Sequence, residues 1–203
     1  MLYDDTIILL FAKAPIAGKV NTRLIPDIGE EKATSLQYDL IHQRLSMLTS
    51  AGLCNVSLMC APGTQHECFV ECEQKYEIQL IAQSGCDLGE RMFNGVEAAL
   101  RHYKYCIVIG TDAPALNEVT IEHAIEALHA DTDVVFVPAE DGGYVLLGLQ
   151  HACDFLFEGI DWGSSEVMQQ SRDQLKLNKI SHRELATCWD VDSLEDYQRY
   201  LAM

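Results

Sequence analysis

Two rhythms alternate along the chain. Short unbroken runs of aliphatic and β-branched residues give way to longer stretches in which apolar residues recur every three or four positions. Ile7 to Ala12 is the first run and reads as a buried strand. Glu30 to Leu48 then carries Leu36, Leu40, Ile41, Leu45 and Leu48 at helical spacing, and Gly52 ends it. Val56 to Cys60 reads as a second strand, Pro62-Gly63 as a turn, Glu67 to Lys75 as a short helix and Ile78 to Ala82 as a third strand. Leu88, Met92, Val96 and Leu100 mark the next helix face. Tyr105 to Gly110, with Cys-Ile-Val-Ile in series, predicts a strand buried on both faces. Ile121, Ile125 and Leu128 predict a helix, Val134 to Pro138 and Tyr144 to Leu149 two strands. Ser164 is expected to cap a helix running to about Leu175, and a last helix follows Asp192 or Ser193.

Strands and helices in turn specify an α/β fold, three layers with a mostly parallel central sheet. The pattern loosens after residue 139, which fits added antiparallel strands and an acceptor-side region. No repeat, low-complexity tract or linker interrupts residues 1–203, so a single domain is expected.

Composition narrows the partners. The 203 residues are 48% hydrophobic and 22% charged, ordinary for a soluble chain. A formal charge of −17 and a pI near 4.6 argue against nucleic acid or an anionic membrane as partner. A small anion held locally, or brought in with a divalent metal, stays compatible. The start, Met-Leu-Tyr-Asp-Asp, is acidic where a signal peptide is basic, and no stretch reaches the ~20 apolar residues of a membrane span. A cytoplasmic protein is expected. The eight cysteines form no CxxC pair and no dense framework, and read as buried, reduced thiols. Cys68 and Cys72 have helical i, i+4 spacing that suits a metal, but no second pair completes a tetrahedral set.

Chemistry concentrates in the loops after strands. Phe11 to Leu24 contains Lys13, Lys19 and Arg23 around Pro15 and Gly18, and no acidic residue falls between Asp5 and Asp27. At the carboxyl end of a first strand, three cations and free backbone amides suit a phosphate or diphosphate; a basic, solvated loop is the plain alternative. Gly110-Thr111-Asp112-Ala113-Pro114 sets a carboxylate after the central strand, where it can hold Mg2+ or Mn2+, or else form an Asx-turn or helix cap. In Glu140-Asp141-Gly142-Gly143-Tyr144 the glycines admit a ligand and the carboxylates can orient a hydroxyl or take its proton; Asp-Gly is also a hairpin signal. Asp192 offers a second metal ligand or a helix cap, with Asp192-x-x-Glu195 and Ser193-x-x-Asp196 both fitting a capping pattern. Asp87, Glu90 and Arg91 open a helix and can meet a nucleobase or ribose, or serve only the helix terminus. Trp162, beside Gly163, Ser164 and Ser165, offers an acceptor platform or a core side chain. The histidines show no HxH or HExxH spacing, and GxSxG, GxGxxG and Walker A patterns are absent.

Taken in order, Phe11-Ala-Lys13-Ala-Pro15 with Gly18 and Thr22-Arg23-Leu24, Asp87-Leu-Gly-Glu-Arg91-Met, Gly110-Thr-Asp112-Ala-Pro114, Asp141-Gly-Gly-Tyr144 with Leu147-Gly-Leu149, Trp162-Gly-Ser-Ser165 and Asp190-Val-Asp192 resemble DUF2064, a family of small bacterial proteins of the glycosyltransferase A (GT-A) type. The resemblance covers nearly the whole chain. It implies a nucleotide-diphospho-sugar transferase-like fold, a nucleotide held by the first loop and a divalent metal at Asp112. In related nucleotidyltransferases a late Asp matches Asp192 best. Two departures stand out: Asn21 replaces the family's usual Lys, and Thr111-Asp112-Ala113 replaces the Asp-x-Asp of many such glycosyltransferases. The expectation is a transferase using a nucleotide-sugar donor and a small-molecule acceptor, with Lys13, Gly18, Lys19, Arg23, Asp87 and Arg91 on the nucleotide, Asp112 and Asp192 on the metal, Asp112 and Asp141 catalytic, and Glu140, Gly142, Gly143 and Trp162 on the acceptor side. A nucleotidyltransferase joining an NTP to a phosphorylated acceptor and a non-catalytic nucleotide-binding module are the alternatives.

Overall fold

The structure is a computed structural model that describes residues 1–203. Its strands are β1 (Tyr3–Lys13), β2 (Cys54–Ala61), β3 (Gln79–Ala82), β4 (Tyr105–Gly110), β5 (Val134–Pro138), β6 (Tyr144–Leu149) and β7 (His182–Glu184). Its helices are α1 (Ile25–Ile28), α2 (Glu30–Ala51), α3 (Glu67–Tyr76), α4 (Leu88–Ala99), α5 (Glu118–His129), α6 (Val167–Asn178) and α7 (Leu194–Leu201). The strands form one sheet in the order β3-β2-β1-β4-β6-β5-β7. Only β6 runs against its neighbours β4 and β5.

Successive residues of β1 serve opposite faces, as the period of a strand requires. Ile8 and Leu10 join Ile41 and Leu45 of α2, Phe69 of α3 and Ile121 and Leu128 of α5 on one side. Ile7 and Leu9 join Met92 and Val96 of α4 and Met168 and Leu175 of α6 on the other. Leu10 and Leu45 are 0% exposed, so truncating either to Ala costs about 2–5 kcal/mol. A third, smaller cluster seats Trp189 and Val191 on Leu24, Leu36 and Leu40, and so fastens the segment before α7 to the base of the first loop.

One local expectation is corrected, and two short elements carried no sequence signal. Ser164 does not cap α6: the helix starts at Val167, and the Ser164 hydroxyl accepts from Glu166 N at 3.2 Å in the preceding turn. Strand β7 gave no apolar rhythm, because its three residues are all exposed and it is held to β5 by backbone pairing. The one-turn helix α1 buries no residue and so has no amphipathic signal either.

Candidate active site

Parallel register brings the first loop and Asp112 together. Phe11 on β1 lies opposite Gly110 on β4, so Lys13 and Asp112 both follow two residues later at the same sheet edge. Gln37, buried on α2, ties the two exits: its Nε2 donates to Lys13 O at 3.1 Å and to Thr111 Oγ1 at 3.4 Å. Buried Arg44, about two turns further along α2 on the same face, donates to the carbonyls of Ala113 and Leu116. Burial lowers its pKa to about 10, which leaves it charged at neutral pH beneath Asp112.

The segment before α7 is laced between the two acidic loops. Cys188 N donates to Pro138 O at 2.9 Å, Glu140 N to Cys188 O at 3.0 Å, and Val191 N to Asp112 O at 2.8 Å. Its two aspartates take different partners. Asp192 pairs with Arg23. Asp190 is half-buried and feels Asp112 and Asp141. The Asp190 carboxyl is pushed up to about 7, by burial first and then by Asp112, Asp141 and Asp192. Asp112 is reached by solvent through the cleft mouth, yet the protein packed around it strips away hydration and raises its pKa; Asp192 and Asp141 add to the rise, while its own backbone amide and Arg44 oppose it. Carboxyls crowded in this way repel one another, and Arg44 beneath Asp112 offsets only part of that repulsion. Their donor set is oxygen only, the chemistry that Mg2+ and Mn2+ prefer, so the residues present fit such an ion.

A cleft of about 450 Å³ opens here, lined by Lys13, Asn21, Gln37, Gln83, Arg91, Asp112, Asp141, Gly143, Tyr144 and Trp162. A neighbouring hollow of about 480 Å³ shares Lys13, Gln83 and Arg91 and adds Lys19. Trp162 meets Tyr144 edge-to-face at 6.3 Å, and the buried Tyr144 hydroxyl has no hydrogen-bond partner within the protein. Gly89 is required under this wall, since a Cβ there would lie 2.6 Å from Trp162 Nε1. Thus Lys13, Lys19, Arg91, Asp112, Asp141, Gly143 and Trp162 are gathered around connected space.

The other sequence-predicted residues stand outside that lining. Asp87 caps α4, accepting from Glu90 N at 2.9 Å. Glu140 pairs with Arg199 at 3.2 Å. Gly18 takes φ +72° in the first loop, and Gly142, at φ +96°, packs on the Ser165 backbone. Asp141 Oδ1 accepts from Gly143 N at 2.9 Å, so the turn reading and the site reading of that loop both hold in the geometry. At α7 the cap is Ser193, boxed with Asp196, which leaves the Asp192 carboxylate to Arg23. Sequence reasoning gave no site role to Asp190, Gln37 or Tyr144, while Gln83 opened the Gln83–Met92 stretch expected to meet a nucleobase or ribose. The Asp190-Val-Asp192 motif held the signal for Asp190, but only the folded chain, through the Val191–Asp112 backbone hydrogen bond, brings that motif beside Asp112.

This mixed, mostly parallel sheet with helices on both faces is a GT-A-like fold, shared with transferases of nucleotide-activated substrates. A structure from Desulfovibrio desulfuricans G20, described provisionally as a nucleotide-diphospho-sugar transferase, matches with TM-score 0.85 and 29% identity over 94% of this chain and 83% of that one. A cytidylyltransferase from Leptospira borgpetersenii serovar Hardjo-bovis matches with TM-score 0.62 and 12% identity, over 98% and 85%. Glucosyl-3-phosphoglycerate synthase from Mycobacterium tuberculosis, in complex with Mn2+, UDP and glucosyl-3-phosphoglycerate, matches with TM-score 0.56 and 8% identity, over 96% and 74%. No curated protein matches the sequence significantly. The chain belongs to the family described as "Uncharacterized protein conserved in bacteria (DUF2064)", which matches residues 44–164. That stretch includes Asp112 and Asp141 but neither the basic first loop nor Asp190 and Asp192.

Proposed function

We propose that the chain is a divalent-metal-dependent transferase acting on a nucleotide-sugar donor. One observation carries the reading: Asp112 and Asp141 line a cleft whose wall carries Lys13 and Arg91, and Asp190 lies close enough to feel both carboxylates. Asp112 and Asp190 would hold Mg2+ or Mn2+, and Asp192 would join them when a diphosphate draws Arg23 away from it. The bound ion would offset charge on the departing nucleotide diphosphate. Lys13, Lys19, Arg23 and Arg91 neutralise the phosphates, with Gly18 turning the loop around them. Asp87 holds the helix that presents Arg91. Asp141 accepts the proton of the acceptor hydroxyl as that oxygen bonds to the sugar's anomeric carbon and the bond to the diphosphate breaks. Trp162 faces the acceptor, backed by the Tyr144 ring, and Glu140, Gly142 and Gly143 shape the neighbouring loop. The likeness to a synthase in complex with Mn2+ and UDP supports both the metal and the nucleotide.

A second reading keeps the cleft and changes the bond. Asp112 stands alone between Thr111 and Ala113, and the fold is shared with a cytidylyltransferase. A nucleotidyltransferase would join an NTP to a sugar phosphate and release pyrophosphate. A thermal-shift panel of nucleotides and nucleotide-sugars, with and without Mn2+, tests the common core, because a ligand of the folded state raises the midpoint. Shifts that need Mn2+ support the proposal; no Mn2+-dependent shift across the panel overturns it. Pyrophosphate release from NTP and sugar phosphates then separates the two bonds.

A further inference from the structure

Across the sheet from the cleft, α2 and α3 enclose a second cluster of metal-binding side chains. Cys68 and Cys72 share one face of α3, and His42 of α2 meets them; one ligand atom from each lies within 4.8 Å of the others. The three are 2%, 0% and 9% exposed, respectively. Cys72 Sγ stands 3.9 Å from His42 Nε2. Bonds of about 2.3 Å to sulfur and 2.0–2.1 Å to nitrogen require ligand separations of roughly 3.5–3.8 Å in a tetrahedral zinc site. Closing separations of at most 4.8 Å to that range takes up to about 1 Å, shared between two side chains.

The imidazole is already set for ligation. The Tyr76 hydroxyl lies 3.0 Å from His42 Nδ1 and 3.1 Å from His42 O. A carbonyl only accepts, so every partner is satisfied when the phenol proton points to His42 O and Nδ1–H donates to the phenol oxygen. Nε2 then carries the lone pair, and it faces the thiols. Metal-bound histidines are typically held by such an outer hydrogen bond on the other ring nitrogen. Glu71, one position before Cys72, brings Oε2 to 4.0 Å from Nε2 and is itself held by Tyr38 OH at 2.9 Å. It borders an open groove of about 690 Å³ that is also lined by Tyr38 and by the buried Cys68, which gives an ion a route in.

We propose that His42, Cys68 and Cys72, with Glu71 at the fourth position, form a zinc-class site that clamps α3 to α2. Two sulfurs and an imidazole suit a soft or borderline cation, unlike the oxygen-only set at Asp112. Binding releases the two thiol protons to solvent and changes no oxidation state. The site does not depend on the transferase reading.

The test uses the full chain, stripped by chelator under reducing conditions and titrated with Co2+. One equivalent is expected to raise a thiolate-to-cobalt charge-transfer band with intense four-coordinate visible bands, and Zn2+ is expected to bleach both. Cys68→Ser and Cys72→Ser should each lose the charge-transfer band, while Cys86→Ser, at an exposed thiol, keeps it. Where a cysteine variant fails to fold, X-ray absorption of the zinc-loaded natural chain decides, with two sulfur neighbours expected. Absence of the band at one equivalent, its survival in both Cys68→Ser and Cys72→Ser, its loss in Cys86→Ser, or a sulfur-free zinc shell overturns the site.

Discussion

Asp112 and Asp190 carry like charge into one crowded cleft, and that arrangement is costly unless a cation joins them. Asp112→Asn is therefore expected to keep the fold while lowering metal-dependent turnover about 100-fold or more, the scale of losing one transition-state charge contact. Steady-state rates with and without Mn2+, beside circular dichroism, check it; unchanged metal-dependent rates reject the role. Asn21 has a different meaning from the one its neighbours suggested. It lines the cleft at φ +47°, a left-handed conformation that asparagine tolerates, and its amide donates to Ala33 O at 3.0 Å. Asn21→Lys should add a cation to the cleft wall and tighten nucleoside-diphosphate binding, while costing about 1 kcal/mol of stability from the left-handed backbone. Calorimetric titration and urea unfolding read the two effects separately.

At the scale of elements, the short edge strand β7 depends on a side-chain tie. Arg172 of α6 grips Glu184 with two hydrogen bonds of 2.8 Å, and this partner holds the Glu184 carboxyl below its ordinary range. A carboxyl whose pKa is depressed by folding stabilises the protein above its unfolded value near 4.5 and loses that contribution as pH falls through the folded value. Glu184→Gln should thus lower stability by about 0.5–1 kcal/mol near pH 7, a partly exposed pair being discounted for screening. The gap to the natural chain should narrow as pH falls below the unfolded value near 4.5, in thermal unfolding across pH 3–7. An undiminished gap at pH 3 contradicts the ion-pair account. Neither α1 nor β7 was legible in the sequence, since each lacks a buried face and owes its place to chain connectivity or backbone pairing. The strands and amphipathic helices were legible, because their apolar periodicity is the packing surface itself.

Across the whole molecule, a net charge of −17 repels itself while a small basic pocket faces the cleft. Salt should act on the two in opposite directions. Raising NaCl from low ionic strength to about 0.15 M, where the screening length falls to about 8 Å, is expected to raise the melting temperature and weaken nucleotide-diphosphate binding. Melting curves and titrations at matched salt check both signs. No helix is long and apolar enough to cross a membrane.

Residue order alone determined the alternation of strands and helices, the basic first loop and the Asp112 and Asp141 turns, because each is encoded within a few neighbouring positions. Tertiary structure alone decided that Asp190 comes to lie near Asp112 while Asp192 meets Arg23, and that His42 joins the Cys68–Cys72 pair. Those outcomes depend on parallel register and helix packing between segments far apart in the chain, and no local periodicity specifies which side chains such packing brings face to face.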